Sequence, residues 1–173
     1  MVNSKKVVPI IGVVLVIVVL FSVFGTPRYQ SIKVKNEKFE GLESKLKAEV
    51  NTSTEIDIKE LTNFDWDECY VFTPYCSSKE IYEKVGTEWT AYKTFIGFLM
   101  FHGIENEIVD DYQQLIVFKK DSKVILSERY SINQLPIIFK LDNYKFTSNN
   151  AKFIVTVAKQ YDEGKIKELV LRK

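Results

Sequence analysis

Hydrophobic and polar positions divide the chain into two regimes. From Val7 to Phe24 it reads VVPIIGVVLVIVVLFSVF, eighteen residues without a charge. As a helix rising about 1.5 Å per residue, this run spans about 27 Å, close to the hydrocarbon thickness of a bilayer. A helix apolar on every side is not the surface helix of a soluble domain. The run exceeds the apolar segment of a typical signal peptide, no A-x-A pattern closes it, and no cysteine stands just after it to carry a lipid. The pattern predicts a transmembrane anchor over 7–25, preceded by a short basic N-terminus at 1–6. Thr26-Pro27 is expected to end the helix, and a cleaved signal is the competing reading.

Past the anchor the pattern turns periodic. A juxtamembrane linker and an amphipathic helix are expected over 26–53. The helix runs from Asn36 to Val50, with Phe39, Leu42, Leu46 and Val50 near one face. A globular domain is expected over 54–173. It opens on a short alternating stretch, Glu55 to Ile58, and residues 68–73 are rich in β-formers and predict a buried strand ended by Pro74. Ser77 with Glu80 three residues on is a capping-box pattern, and Gly86 closes the helix it opens. Trp89 to Phe101, WTAYKTFIGFLMF, is too short to cross a membrane. It reads best as a buried strand, with a helix as the alternative. Leu115–Lys120 and Lys123–Ser127 flank Asp121-Ser122 as a hairpin. Gln134 to Phe139 carries Pro136 and suits a sheet edge. A second hairpin joins Lys152–Gln160 to Lys165–Leu171. The fold class expected is α+β: an N-terminal transmembrane helix, then a mostly antiparallel five- or six-stranded sheet with one or two helices on one face.

Composition narrows the functional classes. The chain has 24 Lys+Arg against 23 Asp+Glu, a balance unlike the basic face that nucleic acid requires, so no nucleic-acid partner is expected. Around the anchor, Lys5 and Lys6 precede the run while Arg28, Lys33, Lys35 and Lys38 follow it, so the positive-inside count is nearly even. The run's export-like character favours a single-pass protein of the cell membrane with its C-terminal domain outside the cytoplasm.

The order FDWDxxYVFxPY at 64–75, the capped helix beginning at Ser77 and the LIVFKKDSKVI hairpin at 115–125 resemble a group of small exported or lipid-anchored proteins of Gram-positive bacteria. That group carries no assigned activity. The resemblance covers about 56–170 and implies export and a compact α+β domain. It departs at Cys76, where the similar sequences have a small polar residue, and it brings no catalytic residue with it.

Candidate chemistry is sparse. No nucleophile elbow, P-loop or H-E-x-x-H is present, so no catalytic residue is assigned and no cofactor is expected. His102, the single histidine, is the general base of an alternative reading as an envelope hydrolase or transferase working with a carboxylate. Cys69 and Cys76 have no zinc-like spacing; in an exported domain they either close a disulfide loop or stand as separate thiols. Asp65, Asp67 and Glu68 alternate, and Glu105, Glu107, Asp110 and Asp111 form an acidic turn, but neither set has the calcium-loop pattern, so no metal is assigned. Aromatic residues of this kind line interfaces as well as cores, and Trp66, Tyr75 and Trp89 are the candidate partner-binding residues. The reading that unites these points is a membrane-anchored binding module with an envelope or protein partner. A protein that occludes a partner's active site is a further alternative.

Overall fold

A computed structural model describes residues 12–13, 15–34, 39–101, 112–161 and 164–172. Helix α1 (Leu15–Ile32) is long and apolar enough to cross a membrane, and almost none of it is buried in the protein. It does not end at Thr26-Pro27. A proline inside a helix lacks the N–H for its own turn and crowds the carbonyl four residues back. Here the five residues Phe21–Gly25, immediately before it, widen into a π-helical turn, and the α-helix resumes over Thr26–Ile32. The apolar helix therefore runs into the folded domain instead of handing over to a linker.

Among the described residues four further helices follow: α2 (Phe39–Thr52), α3 (Ile58–Leu61), α4 (Ser78–Val85) and α5 (Phe95–Phe101). The eight strands described are β1 (Glu55–Asp57), β2 (Glu68–Phe72), β3 (Gln113–Lys120), β4 (Lys123–Ser131), β5 (Ile137–Lys140), β6 (Lys145–Thr147), β7 (Lys152–Tyr161) and β8 (Gly164–Leu171). The α+β class and the mostly antiparallel pairing stand as expected, but the strands form two four-stranded sheets, not one of five or six. The central sheet has the order β4-β3-β2-β6 and the outer sheet β1-β7-β8-β5. Only β5·β8 among the named pairs is parallel, and Pro136 stands just ahead of β5, an edge strand, where it removes no ladder bond.

Side-chain alternation explains why two sheets form. On β2, Cys69 and Val71 point into the space between the sheets, whereas Tyr70 and Phe72 point the other way. Register repeats this split on β3, with Cys69 opposite Phe118, Val71 opposite Ile116, Tyr70 opposite Val117 and Phe72 opposite Leu115. Both faces of the central sheet are apolar and both must be covered. The first face meets Ile137, Phe139, Phe153 and Leu169 of the outer sheet, together with Leu42, Leu46 and Val50 of α2. The second is covered by Ile81 and Val85 of α4, by Trp89 and by Val34 just past α1. The helices thus serve both sides of the central sheet, where packing on one face was expected.

The Ser77 cap forms as expected, its hydroxyl accepting from the Glu80 N–H at 3.2 Å, and Gly86 ends α4 at φ +73. The stretch 89–101 is not a strand. Trp89 and Thr90 lie in a connecting segment, and Phe95–Phe101 forms α5, whose Gly97 N–H is bonded to the Thr94 hydroxyl. Short length, a Thr cap and the docking of Phe95 and Phe98 on Tyr29 favour helix over strand here.

Phe118 sits at the sandwich centre, fully buried, with Phe64 and Trp66 each edge-on to its ring at 5.2 Å. Phe118→Ala should cost about 3–5 kcal/mol in urea unfolding of the full chain in micelles. Ile154→Ala, at an exposed β7 position, should change stability by less than about 0.5 kcal/mol.

Candidate functional site

The FDWD segment enters β2 at the edge of two adjoining open grooves. One, of about 450 Å³, is lined by residues that include Asp67, Glu68, Lys119, Asp121 and Ser148. Its neighbour, of about 530 Å³, shares Asp67 and Ser148 and adds Thr62, Asp65, Trp66 and Lys120. The segment itself is placed by core burial of Trp66, which is edge-on to Phe146 as well as Phe118, and whose indole N–H donates to the Thr62 hydroxyl at 3.0 Å.

Asp67 then ties β2 to the tip of the β3–β4 hairpin. Asp121 and Ser122 both have positive φ, 46 and 64, the signature of a two-residue type I′ turn. The Asp121 N–H donates to the Asp67 carboxylate at 2.8 Å, and Lys120 stands 3.6 Å from it. The turn that Asp67 holds lies 54 residues further along the chain.

Glu68 is the centre of an ionic cluster. One carboxylate oxygen accepts from Lys145 at 2.7 Å; the other accepts from the Tyr70 hydroxyl at 3.0 Å and stands 3.4 Å from Lys119. Lys119 also donates to the Val85 carbonyl at 2.9 Å, linking the cluster to the end of α4. The Lys145 bond holds the Glu68 carboxyl below its ordinary range; burial opposes this, and Tyr70 and Lys119 reinforce it. Burial, with the Glu68 charge beside it, pushes the Tyr70 phenol up to about 12. The cluster ties strands β2, β3 and β6 together and offers ionic and hydrogen-bonding contacts at the groove edge. Lys119 and Lys145 had no signal in the sequence. They reach Glu68 only through the pairing of Glu68 with Lys119 on β3 and with Thr147 on β6.

The other candidate residues separate. Trp66 and Trp89 are core residues, 4% and 1% exposed, on opposite sides of the central sheet, because each indole fills the layer that its strand or loop faces. They form no common surface. Tyr75 is 74% exposed, on the tight turn between β2 and α4 with φ 71. The disulfide reading is overturned: Cys69 and Cys76 are both free and buried, Cys69 in the core between the sheets and Cys76 in the layer under α4. Alternation along β2 turns Cys69 toward the outer sheet, and the turn at Pro74-Tyr75 brings Cys76 back under α4, so the central sheet lies between them. Burial raises both thiols, for Cys76 with help from the Glu80 charge. His102 and the acidic turn at Glu105–Asp111 lie outside the described residues. Among the described residues no three His, Cys, Asp or Glu side chains converge as a metal site would require.

No protein-family model, curated protein or solved structure matches the chain.

Two outcomes check this geometry. The Glu68 carboxyl is more acidic folded than unfolded, so its contribution is present above about pH 4.5 and disappears as pH falls through the lower folded value. Glu68→Gln should therefore cost on the order of 1 kcal/mol at pH 7 and progressively less as the pH falls below about 4.5, read by urea unfolding of the full chain in micelles. The native chain should react with a thiol-specific disulfide reagent at neither cysteine, and at both once unfolded in guanidinium without reductant.

Proposed function

We propose that this chain is a single-pass membrane-tethered binding module, with its folded domain outside the cytoplasm and an envelope or protein partner. The observation that carries the reading is the seam between helix and domain. Over Leu15–Phe24 the large apolar side chains of α1 are about half exposed or more on every side, as a lipid-facing helix requires. One turn later the same helix is locked to the domain. The buried Tyr29 hydroxyl donates to the Tyr92 carbonyl at 2.8 Å, Arg28 pairs with Glu88 at 3.0 Å, and Lys33 donates to the Lys93 carbonyl at 2.7 Å. Val34 and Thr90 then join backbone to backbone at 2.9 Å. A domain tied this closely to a span is held at a set distance from the bilayer, an arrangement suited to presenting a surface.

The export-like character of the run supports the outside placement, and the likeness of its FDWDxxYVFxPY segment to exported bacterial proteins supports the same side. Tyr75 is the side chain best suited to partner contact, since its ring projects from a tight turn while the two tryptophans are core.

Because the native thiols are buried, one added cysteine reports topology. Val157 is half exposed on β7. In intact cells producing full-length V157C, an impermeant maleimide should label the variant and spare the parent chain. Labelling of V157C only after permeabilisation would reverse the orientation. A photoreactive residue in place of Tyr75 should give one discrete adduct that the same residue at Ile154 does not give; equal crosslinking from both would remove Tyr75 as the contact.

A further inference from the structure

Helix α5 has the sequence FIGFLMF, without a charge or a hydrogen-bonding side chain, and the domain uses only one of its sides. Phe95 and Phe98 face the Tyr29 ring at centroid distances of 5.7 and 5.6 Å. Phe95 also lies against Gly25, so closely that a Cβ there would come within 2.8 Å of its ring. Ile96 and Met100, four residues apart and so one above the other on a helix, are each 68% exposed.

The height at which α5 docks gives this exposed face its meaning. Gly25 directly follows the apolar run, and Arg28 is the first charge after Lys6. Gly25 and Tyr29 are about 6 Å apart along the helix axis, so α5 is fastened where α1 leaves the hydrocarbon. Val23 and Phe24 of α1, at the same level, are 57% and 73% exposed. The apolar surface of Ile96 and Met100 therefore continues that of the span's last turn. Around it stand groups that suit a headgroup layer: Arg28, Lys33 and Lys93 as cations and Tyr92 as an amphipathic ring.

We propose that α5 is an interfacial membrane helix, inserting Ile96 and Met100 at the boundary between headgroups and acyl chains, and that it fixes the rotation of the domain about α1. This rests on the reading of α1 as a membrane span. A bilayer is the occupant that the observations favour, because the face lies beside lipid-exposed residues of the same chain and at their level.

Single tryptophans at position 96, 100 or 20 test the proposal in the full chain, reconstituted in vesicles of phosphatidylcholine and phosphatidylglycerol. Trp66 and Trp89 are buried and supply a constant background. Acyl chains brominated near the headgroup should quench the added emission of I96W and M100W about twofold, while acrylamide leaves it unchanged. Quenching of L20W alone, with I96W and M100W open to acrylamide, would overturn the proposal and leave the span standing. No quenching at any of the three would overturn both. Emission at 96 and 100 shielded from acrylamide only at high protein-to-lipid ratio, and untouched by bromine, would give the face to a second copy of the chain and also overturn the proposal.

Discussion

The central sheet is apolar on both faces, and this constraint shapes the rest of the molecule. Sheets that bury one face alternate apolar and polar residues along each strand; β2 and β3 do not alternate. Leu115 to Phe118 are all buried, two on each side. Water must be excluded from two layers at once, so one sheet with helices on a single face would leave Tyr70, Phe72, Leu115 and Val117 wet. The outer sheet with α2 closes one side. On the other side the cover is assembled from α4, the Trp89 segment and the first residues beyond α1. Placement of the apolar helix and core formation are thus one packing problem, since Val34 belongs to the same buried cluster as Phe72 and Trp89.

This coupling explains the form of the seam. A flexible linker after the span would leave the second layer open at the Val34 position. The chain instead carries the helix past Pro27 by widening the turn before it, which brings Tyr29 into a nearly closed pocket at 2% exposure. Gly25 allows the close approach of Phe95. The contacts at this junction are individually modest, an exposed Arg28–Glu88 pair among them, but they act on one short helical turn and the segment at 88–98.

The FDWD segment, the part of the domain richest in apparent chemistry, is accounted for largely by architecture. Phe64 and Trp66 pack on Phe118, Asp67 holds the far hairpin turn, and Glu68 gathers a lysine from each of two neighbouring strands and a tyrosine from its own. A half-buried carboxylate without those cations would carry a desolvation cost, so the lysines are the condition for Glu68 to sit there ionised. What is left at the groove edge is a balanced ionic surface, in keeping with the near-zero charge of the whole chain.

Local patterns determined what local physics controls. Length and uniform apolarity marked α1; the Ser77 and Gly86 signals marked the ends of α4; the spacing of Leu42, Leu46 and Val50 marked the buried side of α2; alternation and turn residues marked both long hairpins. Each of these depends on neighbours a few residues away. The sequence favoured strand over helix for Trp89–Phe101 because an apolar run of that length suits both, and the choice was made by docking of Phe95 and Phe98 on Tyr29, more than 60 positions earlier. It left Cys69 and Cys76 open as a disulfide or as separate thiols because they are close in number, and the turn after β2 sets them on opposite sides of the sheet. It had no means to find Lys119 and Lys145 beside Glu68, or the split into two sheets, since both arise from registers between distant strands. The sequence by itself determined the apolar run, the capped helix and the long hairpins; tertiary structure decided which faces meet and whether an ambiguous apolar run became helix or strand, because burial is settled between segments that the chain keeps far apart.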